Sequence, residues 1–193
     1  GLGVPVFEIP TMPTSVPGLR LQAALEAAVA TRGVHRMRRT EVRGLAFAAN
    51  DDDATLELGD DPNGGRGDSV VARAVVLATG RFSGRGLVAD RDRIREPLLG
   101  LPVLQPASRK DWHRRDFHDP AGHAIHRAGL TVDHAWRPLD ANGKPAWPRL
   151  VAIGSILARQ DWIRAKCGSG LAIATAWAAI DHLARELRAS ASG

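Results

Sequence analysis

A buried strand followed by glycines and a long helix occupies the last part of the chain. Leu150–Ile153 is a continuous apolar run of strand length, and Gly154 and Ser155 follow it directly. After a polar loop, Cys167–Gly170 supplies two more glycines immediately before a long apolar helical pattern. Backbone N–H groups at a helix N-terminus are unsatisfied within the helix and carry about half a positive charge. The pattern therefore predicts a site for an anion or for the polar edge of a ring.

A second unit of the same kind lies upstream. Ala74–Ala78 is apolar throughout, which is typical of a strand buried on both faces in a parallel sheet, and Thr79 and Gly80 follow it. Glycine lets the backbone approach a ligand closely and adopt turns that other residues resist. No Gly-Lys-Ser/Thr follows, so this is not a Walker A loop. Two strand-to-glycine units in one chain predict an α/β fold with a nucleotide or flavin site.

Hydrophobic periodicity predicts the remaining elements. Strands are predicted at Val4–Ile9, within Val34–Ala49, at Ala54–Leu58, at Ser69–Thr79 and at Val151–Ile153. Helices are predicted at Leu19–Thr31, with Gly33 as the C-terminal cap, and at Ser169–Arg188, with Ser169 as the N-cap. In the final helix one stripe is expected to face the core: Ile173, Ala176, Trp177, Ile180, Leu183 and Leu187. Residues 81–149 lack a sustained period.

Charge and composition leave two classes of function open. The net charge is +5, and 26 of the 193 residues are Lys or Arg. One reading is a basic phosphate- or nucleic-acid-binding module without catalysis. No nucleic-acid-binding motif accompanies the charge, and tyrosine is absent, so a base-stacking platform is disfavoured. The single cysteine, Cys167, excludes an internal disulfide and favours a cytoplasmic protein. No apolar run approaches the roughly 20 residues that cross a bilayer.

Several short segments together resemble a known family. They are Val4–Pro10, Pro17–Leu21, Ala78–Gly84, Ile94–Val103, Gly154–Leu157, Gln160–Ile163 and Cys167–Gly170. In combination they are similar to the B subunits of anaerobic glycerol-3-phosphate dehydrogenase, which are flavin-dependent oxidoreductases built on a dinucleotide-binding fold. The resemblance covers essentially the whole chain. It implies FAD or FMN as cofactor, and oxidation of glycerol 3-phosphate, a small phosphorylated polyol, to dihydroxyacetone phosphate.

The resemblance also implies partners and a location. Electrons would pass through flavoprotein and iron–sulfur partner subunits to quinone, at the inner face of the cell membrane. Whether this subunit oxidises substrate or only relays electrons stays open. The family's N-terminal half carries a Gly-x-Gly-x-x-Gly turn for the flavin nucleotide, and no such turn follows a strand here. The chain is therefore expected to be the C-terminal half of a subunit about twice as long, inactive without the missing half.

Residue roles follow from the resemblance. The positions expected to contact the flavin are Gly80, Gly154, Ser155, Asp161, Gly168, Ser169 and Gly170. Asp161 could instead be a solvated loop residue. Arg95, Arg109 and Arg137 are the expected phosphate ligands, because guanidinium forks suit phosphate dianions. His118 and Arg109 are the candidates for catalysis. No metal site is expected, since the spacing of His118, His123 and His126 matches no zinc pattern.

The expected fold is a partial dinucleotide (FAD/FMN)-binding α/β fold with an antiparallel flap and part of a cap or substrate region. Four regions are expected along the chain. They are 1–33 (part of the cap or substrate region with a connecting helix), 34–80 (the β-flap and a strand of the flavin-binding domain), 81–149 (an irregular loop or substrate layer) and 150–193 (the final strand and helix of the flavin-binding domain).

Overall fold

The computed structural model describes residues 16–48, 53–59 and 69–191. The chain separates into two compact units, Gly1–Arg39 and Thr40–Gly193. The first unit contains helix α1 (Val16–Thr31), and Gly33 follows it in the left-handed conformation at a φ of +66°. This confirms the helix and the capping glycine expected from the periodicity. The predicted strand Val4–Ile9 lies outside the described residues.

The second unit begins with an antiparallel sheet of three strands in the order β1, β2, β3. The strands are β1 (Val42–Phe47), β2 (Ala54–Leu58) and β3 (Ser69–Ala72). Leu56 of β2 is opposite Leu45 on one side and Val70 on the other. The predicted strand Ala54–Leu58 is confirmed residue for residue, and the region 34–49 contributes a single strand.

The segment Ser69–Thr79 is not one strand, as the apolar pattern predicted, but two. After β3 the chain leaves the antiparallel sheet, and β4 (Val75–Leu77) enters a different one. There β4 pairs in parallel with β9 (Leu150–Ala152), with Val75 opposite Leu150 and Leu77 opposite Ala152. The charged residue Arg73 lies at the change between the two sheets, but β-branched and apolar residues on both sides of it suit a strand, so the pattern resembles one continuous strand.

Residues 81–149 form a layer of short elements. Strand β5 (Val88–Ala89) pairs with β6 (Ile94–Arg95), and β7 (Val103–Leu104) pairs with β8 (Gly129–Leu130), both antiparallel. Two 3₁₀ turns complete the layer, Arg109–Asp111 and Ala124–Arg127. Its apolar side chains join those of the sheets in one core, whose fully buried members include Leu87, Ile94, Leu130, Leu150 and Ile156.

The C-terminal part follows β9, whose three residues are all buried. A 3₁₀ turn (Gly154–Ile156) leads to the short helix α2 (Trp162–Ala165) and then to α3 (Gly168–Ala191). Leu183 and Ala179 of α3 pack on Val151 of β9 in a second buried cluster. The long final helix is thus confirmed, and it begins one residue before the predicted N-cap Ser169.

The prediction of which side chains of α3 are buried is only partly correct. The buried positions are Thr175, Ala179 and Leu183, spaced four residues apart. Ile173 and Trp177 lie on another face, with 71% and 80% of their surface exposed. The helix carries apolar residues on two adjacent faces, and periodicity alone does not say which of them meets the sheet.

Candidate functional site

The turns after the two parallel strands lie side by side. Because β4 and β9 pair in register, their carboxyl ends meet at the same edge. Gly80 follows β4, and a Cβ placed on it would lie 3.6 Å from the Oγ of Ser155, which follows β9. Gly80 has a φ of +70°, a conformation that favours glycine. Ligands of α/β sheets bind outside the carboxyl ends of the strands, so this edge is the candidate site.

The turn after β9 is also fixed to α3. The N–H of Gly154 donates to Oγ1 of Thr175 at 2.9 Å, and that hydroxyl donates to the carbonyl of Leu171 at 2.7 Å. Gly154 has a φ of +72°, and a Cβ on it would lie 4.0 Å from Ala172. Thr175 is buried although it is polar, and these two bonds satisfy its hydroxyl. Thus β4, β9 and the start of α3 meet at one place.

A buried arginine joins the turn after β4 to the segments around it. Arg81 is 7% exposed. Its guanidinium donates to backbone carbonyls of Ser155 at 2.6 Å and of Leu157 and Gln160 at 3.3 Å. A fourth hydrogen bond goes to the carbonyl of His126. Burial lowers the pKa of Arg81, and the nearby Asp161 carboxylate opposes that shift. Arg81 therefore fixes the position of Gly80 relative to the segment 155–160.

The glycine-rich loop after Arg81 folds tightly on itself. A Cβ on Gly84 would collide with the carbonyl oxygen of Thr79, and one on Gly86 would collide with that of Gly80. These two glycines are therefore required by the backbone of the loop. Their presence needs no ligand to explain it.

The glycines at the start of α3 differ from each other. A Cβ on Gly168 would lie 3.1 Å from the ring of Trp162, so packing inside the chain explains this glycine. A Cβ on Gly170 would meet no described atom within 4 Å. Ser169 lies inside the helix and Cys167 precedes it, so Ser169 is not the N-cap that the sequence predicted. Nothing within the described structure explains a glycine at position 170.

Asp161 lies in the loop between Gly154 and Gly168 and is the N-cap of α2. Its Oδ1 accepts the N–H of Arg164 at 3.2 Å, and Nδ1 of His126 lies 3.7 Å from the same oxygen. Its Oδ2 is buried and accepts no hydrogen bond from the described residues. Burial lowers the pKa of His126, against the opposing effect of Asp161. The lowered pKa favours the neutral imidazole.

Comparison with known proteins identifies the family. Residues 2–171 match the FAD binding domain family. The chain belongs to this family. Its cofactor is FAD, and its fold is a dinucleotide-binding α/β fold. The juxtaposed turns at Gly80 and Ser155 and the unobstructed Gly170 fit a cofactor that approaches the backbone closely.

Curated relatives of this FAD-binding chain are B subunits of one enzyme. A probable B subunit of anaerobic glycerol-3-phosphate dehydrogenase from Halobacterium salinarum (strain R1) is 35% identical over 92% of this chain and 40% of its own length. The B subunit of the same enzyme from Vibrio vulnificus (strain YJ016) is 31% identical over 92% and 39%. That of Yersinia pestis bv. Antiqua (strain Antiqua) is 32% identical over 96% and 42%. The resemblance predicted from the sequence is confirmed.

The similarity covers nearly all of this chain but less than half of each relative. The chain spans about two fifths of the length of these relatives. No solved structure gives a significant match to the chain. Within the described residues, no helix combines the length and the apolar character needed to span a membrane.

The three arginines expected to bind phosphate in this FAD-binding chain have partners of their own. Arg95 forms a 2.8 Å ion pair with Asp90. Nε and Nη2 of Arg137 each lie 2.8 Å from Oδ2 of Asp133. Arg109 donates to two backbone carbonyls in the turn at 90–91 and lies over the ring of Trp112. These contacts hold the three guanidinium groups against neighbouring segments.

The histidines of residues 113–126 pack against each other. His123 is buried, bonded to the N–H of Arg114 at 3.0 Å, and its ring lies near those of His113 and His126. His118, the candidate for catalysis, is exposed and contacts the ring of Phe117. No group of three or more potential ligand side chains in the described ranges is arranged to hold a metal ion.

Sequence reasoning missed two features of this region. The first is the burial of Arg81, which the pattern places only in a glycine-rich loop, where arginine is usually exposed. The second is the grouping of Arg127, Arg159 and Arg164 around Asp161. Arg159 and Arg164 are near each other in the sequence, but only the pairing of distant segments brings Arg127 to them, so the local pattern could not have revealed the whole group.

Proposed function

We propose that the chain forms part of a flavin-dependent dehydrogenase subunit that acts in the oxidation of glycerol 3-phosphate to dihydroxyacetone phosphate. The observation that carries the proposal is the juxtaposition of Gly80 and Ser155 at the carboxyl ends of parallel β4 and β9. That edge is where α/β folds bind their ligands, and the family is a FAD-binding one. The names of the relatives supply the substrate.

In this proposal the chain holds the flavin through its backbone. Gly80, Gly154 and Ser155 form one wall, and the first turn of α3 forms a second. The positive end of α3 favours negative charge beside its first turn. Gly170 leaves that turn open to close approach, and no contact with the residues that the structure describes requires a glycine there. FAD, when bound, supplies the acceptor for the two electrons removed from the alcohol.

The matched region is only part of each relative, so other parts of such a subunit are expected to complete the site. We infer that those parts hold the nucleotide end of FAD, since no Gly-x-Gly-x-x-Gly turn follows a strand here. Flavoprotein and iron–sulfur partner subunits would carry the electrons onward to quinone at the inner face of the cell membrane. This chain's own contribution is the ring-binding edge.

The test is FAD occupancy of the polypeptide made from its complete coding sequence. Gly170→Val is expected to lower the FAD content severalfold, because the new side chain occupies the approach to the first turn of α3. Ala174→Val is the matched control, an exposed position one turn further along the same helix. Occupancy is read from the flavin absorption band and the protein concentration. Equal FAD content in both variants, or no flavin in the wild type, would overturn the proposal.

A further inference from the structure

An arginine-lined cleft lies beside the candidate site. It has a volume of about 530 Å³, and its lining includes Arg127, Arg159, Arg164 and Asp161. The N–H of Arg159 donates to the carbonyl of Arg127 at 2.8 Å, which brings the first two arginines onto adjacent segments. Arg164 lies in α2, which Asp161 caps. The cleft is therefore built from two segments of the chain, one at Arg127 and one at 159–165.

The three guanidinium groups of the cleft have no partner in the part of the chain that the structure describes. All three arginines are exposed, and none of their side chains forms an ion pair or hydrogen bond with the described residues. In this respect they differ from Arg95, Arg109 and Arg137, which are all engaged. Like charges gathered in one cleft repel each other until an anion lies between them. The arrangement is therefore suited to a ligand that brings negative charge.

The carboxylate of the cleft does not neutralise it. Asp161 has 11% of its side chain exposed, whereas the arginines face the solvent. Buried Arg81 lies behind it, bonded to the carbonyl of Gln160, and contributes a further positive charge. Three exposed guanidinium forks against one recessed carboxylate leave the surface of the cleft positive. Planar forks of this kind bind the oxygens of a phosphate two at a time.

The cleft adjoins the turn after β4. Arg81 follows Gly80 and bonds to carbonyls on both walls of the cleft region, those of His126 and Gln160. Since Arg81 directly follows Gly80, its side chain connects the segments of the cleft to the edge where Gly80 and Ser155 meet. The phosphate of a substrate whose reacting end lies at that edge would find its charge partner here.

We propose that this cleft binds the phosphate group of the phosphorylated polyol substrate through Arg127, Arg159 and Arg164. The proposal rests on the proposed function, and it replaces Arg95, Arg109 and Arg137 as the phosphate ligands. The phosphate groups of FAD have the same chemistry as that of the substrate, so the cleft could in principle hold either of them. A substrate site accepts glycerol phosphate when FAD is already bound, and a cofactor site does not.

The test is a phosphorus NMR titration of sn-glycerol 3-phosphate into the polypeptide made from its complete coding sequence, with and without added FAD. Arg127→Gln and Arg159→Gln are each expected to weaken binding about five- to tenfold, the effect of one lost charge-assisted contact in a solvent-exposed cleft. Arg91→Gln is the control, an exposed arginine in the turn at 90–93. Inorganic phosphate, as a second probe, should respond to the same variants.

Asp161→Asn separates an electrostatic role from a structural one. Asparagine still caps α2, so the fold is preserved, but the variant removes the negative charge from the cleft. Binding of glycerol phosphate should therefore strengthen about two- to fivefold. Weaker binding in this variant would mean that the residue acts by shaping the loop, and the charge argument would fail.

The outcomes distinguish the two proposals. Cleft variants that bind as tightly as the Arg91→Gln control overturn the phosphate site, as does loss of glycerol phosphate binding once FAD is bound. FAD content is measured on the same samples from the absorption band. A protein that takes up FAD but shows no effect of the cleft variants retains the proposed function and loses the phosphate site. A protein that takes up no FAD loses the proposed function, and the titration without FAD still decides the cleft.

Discussion

Replacing Arg81 tests how much of the site's geometry depends on one buried guanidinium. The side chain is 7% exposed and donates to four backbone carbonyls, those of His126, Ser155, Leu157 and Gln160. Lysine keeps the charge, but its single ammonium presents three protons from one point. It cannot reach four carbonyls that surround a planar fork.

The cost of Arg81→Lys can be bounded from these bonds. The carbonyls of Ser155 and Leu157 also accept from Nε2 of Gln160 and keep that donor. The carbonyls of His126 and Gln160 are the two that lose their donor if the ammonium does not reach them, and each such loss costs about 1 to 3 kcal/mol. Some relaxation and entry of water reduces the total. We therefore expect the free energy of unfolding to fall by about 3 kcal/mol, which is large against the 5 to 15 kcal/mol typical of a domain.

The assay is urea-induced unfolding followed by tryptophan fluorescence. The matched control is Arg85→Lys, since Arg85 lies in the same loop and is exposed. The control is expected to stay within about 0.5 kcal/mol of the wild type, as surface substitutions usually do. If Arg81→Lys were as mild as Arg85→Lys, the view that Arg81 holds the turn against the segment 155–160 would be wrong.

Two further predictions concern titrating side chains. Burial opposes the charge on Asp133, but hydrogen bonds from Arg137 and Ala135 outweigh it and lower the pKa below the ordinary 3.8. Asp133→Asn should therefore lower the free energy of unfolding by about 2 kcal/mol at neutral pH. This difference from the wild type should vanish in urea titrations carried out below the folded-state pKa of Asp133, because the wild-type carboxyl group is then protonated and uncharged. Burial lowers the pKa of His126 below 6.5, so the unfolded chain binds more protons and stability falls as the pH drops through that value. His126→Gln should make the urea midpoint less dependent on pH between about 5 and 8; an unchanged pH dependence would contradict this.

The local sequence pattern was sufficient to predict an element wherever its type and burial depend on its own residues. The apolar period and the following glycine placed α1, and alternation placed β2. A continuous apolar run marked β9 as buried. In each case the side chains that define the element also determine its burial, so the sequence alone carries the information.

The candidate site was predictable only in its backbone. Gly80 and Ser155 were expected together because both follow buried strands, and the parallel pairing places them side by side. The roles of the charged residues were harder to predict from the sequence. Arg95, Arg109 and Arg137 stand in or near the segments that resemble the family, yet each has a partner supplied by the fold.

What the sequence determined by itself is α1, β2, β9, α3 and the glycine turns beside them, because propensity and periodicity act over a few residues. The tertiary structure alone decided which face of α3 is buried, where Ser69–Thr79 divides between two sheets, and which arginines remain unpaired. Those outcomes depend on contacts between residues that are far apart in the chain. Arg81 shows the reason most clearly: its acceptors lie 45 to 79 residues away, and only the folded chain brings them within hydrogen-bond distance.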